Sequence, residues 1–371
     1  MRVRASWQSR PWSERVAQAR RDLAMLGAGW RGERRGLPVL FAKRSSGRTA
    51  RVVEVVRETD DAVTLVLDVD GGLVWRAGEF LTIGVRLSDR VERRAYSLCV
   101  PPNAARPAIT VKRIAAGRVS RWLVEHAAPG LLLEVAGPSG RFVFTPDASR
   151  ARTIVLVGGG SGITPLRAIA ETALAHEPES RVVLIYGNRA PADVIFAERI
   201  AELVHDPRFT LVSVFGLLDQ ATLAPLLADA SGDEHWLCGP EPMMAAAREV
   251  LASLDAPPST IHEERFLALG GARDDGLLPS APQRLRIRRR GAWSETQVAV
   301  GQTLLEAGLA AAVPMPSSCT LGGCGACRVR LLAGEVQHQS PNCLGADERA
   351  DGWVLACVAR PLTPVELEVD A

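Results

Sequence analysis

Near the C-terminal end of this 371-residue chain, Cys319, Cys324 and Cys327 stand close together in PMPSSCTLGGCGAC, and Cys357 follows thirty residues later in VLACVARP. Thiolates at C-x4-C-x2-C spacing with one distant partner form the ligand pattern of a [2Fe-2S] cluster. Two tetrahedral irons bridged by two sulfides leave four open positions, and one tight loop brings three of the ligands together. Gly322, Gly323 and Gly325 let that loop close around a cluster and turn its N–H groups inward, with φ > 0 where needed. A thioredoxin-like C-x-x-C at Cys324/Cys327 and a structural zinc site are the alternatives. Neither explains Cys319 or the small-residue loop.

These residues must be positioned by the segments around them. Gln283–Arg290 and Thr296–Val300 read as a hairpin, Thr303–Ala312 as a helix, and Arg328–Leu332 and Val365–Val369 as further strands. That order suits a β-grasp fold. The stretches GGCGACRVRLLAGEV and ADGWVLACVARP resemble plant-type ferredoxins over about the last ninety residues. An iron–sulfur domain carries single electrons, so another part of the chain must load it. Cys343, in a polar loop outside the ligand spacing, reads as a bystander.

Length alone allows two to three domains. Hydrophobicity of 47% and charge of 23% are those of an ordinary globular protein with ample core. No stretch approaches the ~18–20 apolar residues of a membrane-spanning helix. The start, MRVRASWQSRPWSER, lacks the apolar segment of a signal peptide. Seven cysteines, four of them assigned to a cluster, point to a reducing compartment and a cytoplasmic protein.

The net charge of +2 hides an asymmetry: residues 1–48 carry a balance of +9, leaving −7 on the other 323. This basic N-terminal extension holds Trp7, Trp12 and Trp30 and predicts a helix over Ser13–Leu26 with Ser13 as N-cap. It reads as a helical extension packed on the body. The alternative is an arm, residues 1–46, that touches an acidic partner or the anionic inner face of a membrane. No nucleic-acid motif accompanies the charge.

From residue 49 to 147 the pattern is period-two: RVVEVVRET, AVTLVLDV, FLTIGVR, AITVKR and LLLEVAG, separated by Gly, Asp and Pro. This predicts an antiparallel β-barrel. Arg94-Ala95-Tyr96-Ser97, Val111-Lys112-Arg113 and Gly117-Arg118-Val119-Ser120 lie within it. Here the chain resembles the flavin domain of the ferredoxin-NADP reductase family. The resemblance implies that Arg94 pairs with a flavin phosphate, Tyr96 lies against the isoalloxazine, and the Ser97 hydroxyl reaches N5. Lys112 is included in the flavin site, and Gly117 to Ser120 offer a helix N-terminus to a pyrophosphate. A pyrophosphate loop favours FAD, with FMN as the alternative.

Residues 151–266 alternate apolar strands (TIVLV, VVLIYG, FTLVSVF, HWLC) with helical stretches, which predicts a doubly wound α/β domain. The first strand runs into Gly158-Gly159-Gly160-Ser161-Gly162-Ile163-Thr164-Pro165, where Thr164 reads as an N-cap and Pro165 as the first helical residue. The stretch resembles the dinucleotide loop of the same reductase family. By that resemblance Cys238-Gly239-Pro240 lies beside the nicotinamide, with the Cys238 thiol near C4, Phe266 over the flavin face and Glu264 close by. Arg189, and with it Arg199, is placed to hold a 2′-phosphate, which favours NADPH over NADH.

Residues 267–282 are rich in Gly, Asp and Pro and read as a linker to the ferredoxin domain, 283–371. The order flavin, nucleotide, ferredoxin resembles the reductase components of oxygenase, hydroxylase and fatty-acyl desaturase systems. It implies an NAD(P)H-dependent enzyme that passes electrons through flavin and cluster to a separate terminal partner. A redox-sensing regulator and a reductase acting alone are the other classes to be tested.

Overall fold

The computed structural model describes residues 48–87, 90–266, 279–318, 320, 322–339 and 342–369. The helix expected at Ser13–Leu26, the ligand Cys319 and linker residues 267–278 lie outside the described residues.

Alternation of apolar and polar residues produces the first layer. Strands β1 (Arg48–Thr59), β2 (Ala62–Val69), β3 (Phe80–Leu87), β4 (Arg90–Ser97), β5 (Ala108–Lys112) and β6 (Leu132–Ser139) pair in the order β4-β3-β6-β1-β2-β5. Every named pairing in this sheet is antiparallel. A bridge between Leu98 and Ile109 joins the β4 and β5 ends, closing the sheet into a barrel. Leu65, Leu67, Leu81, Ile83 and Ile109 are buried at its centre. Helix α1 (Arg118–His126) adds Val119 and Leu123 to that core.

The second layer is a parallel sheet of β7 (Thr153–Gly159), β8 (Arg181–Asn188), β9 (Phe209–Phe215), β10 (Glu234–Cys238) and β11 (Ile261–Glu264), ordered β11-β10-β7-β8-β9. Its central strands β7 and β8 are apolar on both faces because both faces are covered. Ile154 and Leu156 of β7 pack with α2 (Ile163–His176). Val155 and Val157 pack on the other face with α4 (Gln220–Ala230) and α5 (Glu241–Ser253); α3 (Ala197–Leu203) follows β8 on the α2 side. The chain runs outward from β7 to β9, then returns to place β10 on the other side of β7. The crevice beyond the ends of β7 and β10 is therefore a topological switch point, where open α/β sheets bind ligands.

The third layer holds β12 (Gln283–Arg289), β13 (Ala292–Val298), α6 (Leu304–Ala310), β14 (Arg328–Ala333), β15 (Val336–His338), α7 (Ala346–Ala350), β16 (Trp353–Leu355), β17 (Ala359–Pro361) and β18 (Val365–Glu368). Its main sheet is β13-β12-β18-β14-β16, with α6 packed on it in the β-grasp manner. Thr303 starts α6 with a capping box: it accepts from Glu306 N–H at 3.2 Å, and Glu306 returns the contact at 2.9 Å. Residues 46–371 form one compact unit.

Candidate functional site

Strand register assembles the centre of the site. Gly158 of β7, Cys238 of β10 and Glu264 of β11 are successive Cα partners across three parallel strands. The loops leaving β7 and β10 touch closely: a Cβ on Gly162 would fall 1.9 Å from the Cys238 carbonyl oxygen, so only glycine fits there. Gly159 packs against Pro240 and Gly239 in the same contact. Burial pushes the Cys238 thiol well up, with the Glu264 charge adding to the shift. Glu264 is raised to about 8 by burial of its carboxyl. Its neighbourhood favours the neutral acid.

The helix start differs from expectation. A 3₁₀ turn over Gly160–Gly162 runs directly into α2, so Gly162 is the N-cap and Thr164 lies within the first turn. The Thr164 hydroxyl donates to Ser161 O at 3.0 Å, tying that turn together, and Pro165 follows as the third helical residue. The chain is already helical before Thr164, which leaves no extended residue to cap.

A cavity of about 590 Å³ opens over these strand ends, lined by Gly159, Gly160, Gly239, Pro240 and Phe266 on one side and by Lys112, Asp61 and Arg189 on the other. Arg189 donates to Asp193 at 3.0 and 3.2 Å and lies 3.7 Å from Asp61, which also faces Lys112 at 3.7 Å. Acids from the next turn and from the barrel thus both face Arg189. Asp219 enters the same cavity as the N-cap of α4. Arg199 is held elsewhere: its guanidinium grips both oxygens of Glu171 at 2.9 and 3.0 Å and reaches Glu202 at 2.8 Å. Phe266 lines this cavity, whereas Glu264 lines a second one toward the iron–sulfur domain.

On the barrel, Arg94, Tyr96 and Ser97 share β4. Tyr96 is half-buried, and burial raises its phenol although Arg94 opposes the shift. Ser97 is buried, as the Cα partner of Phe80. Glu92 stands between two cations, 3.6 Å from Arg94 and 2.5 Å from Arg118 at the start of α1. The sequence pointed to Arg118 only through its backbone; its side chain joins Arg94 through Glu92, a partner with no local signal. Gly117 is the α1 N-cap without a side-chain cap, and no acid stands in the first turn. The Ser120 hydroxyl accepts from Ile114 N–H at 3.3 Å, closing the preceding loop. Two guanidiniums beside an open helix N-terminus suit an anion.

In the third layer, the Cys327 and Cys357 sulfurs converge to 3.1 Å, and Gly322 N–H donates to Cys357 Sγ at 3.2 Å. Gly322 and Gly325 adopt φ of 75° and 67°, which turns the loop back on itself and aims the Gly322 amide at sulfur. Cys324 lines the second cavity with Gly323 and Gly325. Converging thiols with an amide donor fit an iron–sulfur ligand set. Cys343 lies against this loop: its N–H donates to Gly322 O at 2.8 Å.

Comparison with known proteins agrees with this architecture. Residues 49–144 match an oxidoreductase FAD-binding domain, 156–249 an oxidoreductase NAD-binding domain, and 287–362 a 2Fe-2S iron-sulfur cluster binding domain. The chain is 35% identical to a component of the 1,2-phenylacetyl-CoA epoxidase of Escherichia coli K12, over 86% of this chain and 97% of that protein. It is 36% identical to the ferredoxin reductase component of 3-ketosteroid-9-alpha-monooxygenase from Mycobacterium tuberculosis, over 84% and 92% of the two chains. The solved structure of phthalate dioxygenase reductase superposes with a TM-score of 0.58 at 27% identity, covering 88% of this chain and 98% of that one. The chain belongs to the ferredoxin-NADP reductase family, in the branch that joins FAD, NAD and C-terminal [2Fe-2S] domains, and it is an NAD(P)H-dependent reductase of the kind that serves oxygenase systems.

Proposed function

We propose that this protein takes electrons from NADPH, or with lower preference NADH, and delivers them through FAD and the cluster to a separate terminal oxygenase, hydroxylase or fatty-acyl desaturase. The observation that carries the reading is the register of Gly158, Cys238 and Glu264 at the switch point, with Phe266 over the adjoining cleft.

In this reading FAD, when bound, supplies the conversion between hydride and single-electron chemistry. Arg94 and Arg118 would hold its diphosphate together with the amides of Gly117 to Ser120, Tyr96 would lie against the ring, and the Ser97 hydroxyl would orient N5. Lys112 faces the nucleotide across the cleft. Gly158 to Gly162, Thr164 and Pro165 seat the dinucleotide diphosphate, Gly239, Pro240 and Phe266 shape the nicotinamide end, and Cys238 and Glu264 stand at the adjoining strand ends. Arg189 contacts the 2′-phosphate after leaving Asp193. Cys319, Cys324, Cys327 and Cys357 would hold the cluster, and clusters of the plant type, at about −400 mV, supply strongly reducing electrons.

No described helix is long and apolar enough to cross a membrane. The basic arm, residues 1–46, is proposed to work at the acceptor or at the inner face of a membrane, in a cytoplasmic protein. Its removal is expected to leave NAD(P)H oxidation intact and to weaken coupling to the partner.

The testing experiment is stopped-flow reduction by NADPH and, separately, NADH, following flavin and cluster absorbance together. Flavin bleaching followed by cluster bleaching is expected. Deleting residues 283–371 should abolish cytochrome c reduction and spare ferricyanide reduction; loss of both would count against the flavin and nucleotide assignments.

A further inference from the structure

The iron–sulfur domain meets the barrel through polar contacts around a cavity. Arg141, two residues beyond β6, pairs with Glu348 of α7 at 2.5 Å. The same Glu348 oxygen pairs with Arg328 at 2.5 Å, and Gly345 N–H donates to the other oxygen at 3.2 Å. Arg328 directly follows Cys327 and lies 3.9 Å from the centre of the Trp353 ring, which fixes its guanidinium. Glu348 therefore links the barrel to the residue next to a cluster ligand. Thr82 of β3 and Ser318, the neighbour of Cys319, share a second contact across the same junction.

Between these contacts lies a cavity of about 360 Å³. Phe80 and Phe142 line the barrel side, Glu264 the nucleotide domain, and Gly323, Cys324 and Gly325 the opposite wall. Phe80 is the β3 partner of Ser97. The cluster loop thus faces the strand pair that carries the proposed flavin contact, and the Arg141–Glu348 pair stands at the rim.

We propose that Arg141–Glu348 is a positioning latch, which seats the cluster loop against the Phe80 edge of the barrel and thereby sets the rate at which electrons pass from flavin to cluster. The inference rests on the function proposed above. NAD(P)H is the reductant, and each electron lost on the flavin side is gained by the cluster. With its side chain 67% exposed, Arg141 contributes a weak, salt-screened attraction. Such a pair is poor glue but adequate to bias one pose of a tethered domain. Two bonds to Arg328 and Gly345 hold the carboxylate still, so the pair also specifies orientation. These two contacts lead to neighbours of cluster ligands, Thr82 directly to Ser318 and Arg141 through Glu348 to Arg328, which ties the pose of the barrel to the pose of the loop.

The test compares Arg141→Ala, Glu348→Gln and Arg141→Lys with the parent holoenzyme in stopped flow at low and high salt. At low salt the first two variants should slow the cluster phase about two- to fivefold, as expected for loss of an exposed ion pair from a two-pose equilibrium. Their cluster phase should respond little to added salt, flavin reduction should stay unchanged, and Arg141→Lys should remain near the parent. Small-angle scattering gives a readout without turnover: Arg141→Ala at low salt should match the more extended parent at high salt. An unchanged cluster phase in both variants, or scattering insensitive to salt and substitution, would overturn the latch. A parallel fall in flavin reduction would assign Arg141 to barrel stability and overturn it equally. If the parent cluster is never reduced, the functional reading itself fails.

Discussion

Glu264 and Cys238 are register partners at the ends of β11 and β10, and both are held in their neutral forms by burial. For Glu264 the folded value is about 8 against an ordinary 4.5, so the folded state keeps a proton that the unfolded chain releases. Stability from this group is full below the ordinary carboxylate value and falls as pH rises through about 8. Glu264→Gln keeps the neutral shape and loses the titration. The variant should melt at a higher temperature than the parent near pH 8.5 and alike near pH 4, with a gap on the order of a few kcal/mol at 1.36 per pKa unit. Calorimetry across that range checks it; equal pH responses would remove Glu264 as the titrating group.

Gly162→Ala tests the loop contact. The added methyl would lie 1.9 Å from the Cys238 carbonyl oxygen, so the β7 and β10 loops must separate. Overpacking of this kind costs about 1–3 kcal/mol. The variant should retain its flavin spectrum and bind NAD(P)H about tenfold or more weakly, read by calorimetric titration. Binding at parental strength would show that the two loops do not need to touch.

Arg189→Ala tests the nucleotide preference. If its guanidinium leaves Asp193 for a 2′-phosphate, Arg189→Ala should raise KM for NADPH about fivefold or more and leave KM for NADH nearly unchanged, the scale of one exposed charge-assisted contact. An equal change for both nucleotides would make Arg189 a structural partner of Asp61 and Asp193. That outcome would favour NADH.

Local patterns made much of this legible. Period-two stretches marked the barrel strands, apolar runs marked the parallel sheet, and the cysteine spacing marked the cluster loop. Thr164 misled because a Thr-Pro pair signals a helix start only when the preceding residue is extended, and Gly160–Gly162 is already a turn. What could not be read were long-range partners. Asp61 comes to Arg189 and Lys112 from the turn between β1 and β2, Glu92 joins Arg94 to Arg118, and Glu348 reaches back to Arg141 across 207 positions. Such pairs have no local period, and only the closed fold brings them together.

At the end of the parallel sheet away from the cleft, Arg152, just before β7, donates to both oxygens of Glu177 at 3.0 and 2.5 Å and also pairs with Glu234. Ser180 and the Asp147 amide complete the Glu177 shell at 2.7 and 3.0 Å. The side chains are 5% and 0% exposed, so neither charge has water to fall back on. Burial alone would raise Glu177, yet these donors hold it below the ordinary carboxylate range. Arg152→Ala leaves that carboxylate stranded and should destabilise the domain by about 3–5 kcal/mol. Because a depressed carboxylate stabilises above its unfolded pKa and loses that effect as pH falls, the gap between parent and variant should narrow toward acid. Thermal melts at neutral pH and near pH 4 measure this, alongside KM for NAD(P)H at low temperature. The expected result is a large loss of stability with KM intact; a changed KM with unchanged melting would place Arg152 in the binding site instead of under it.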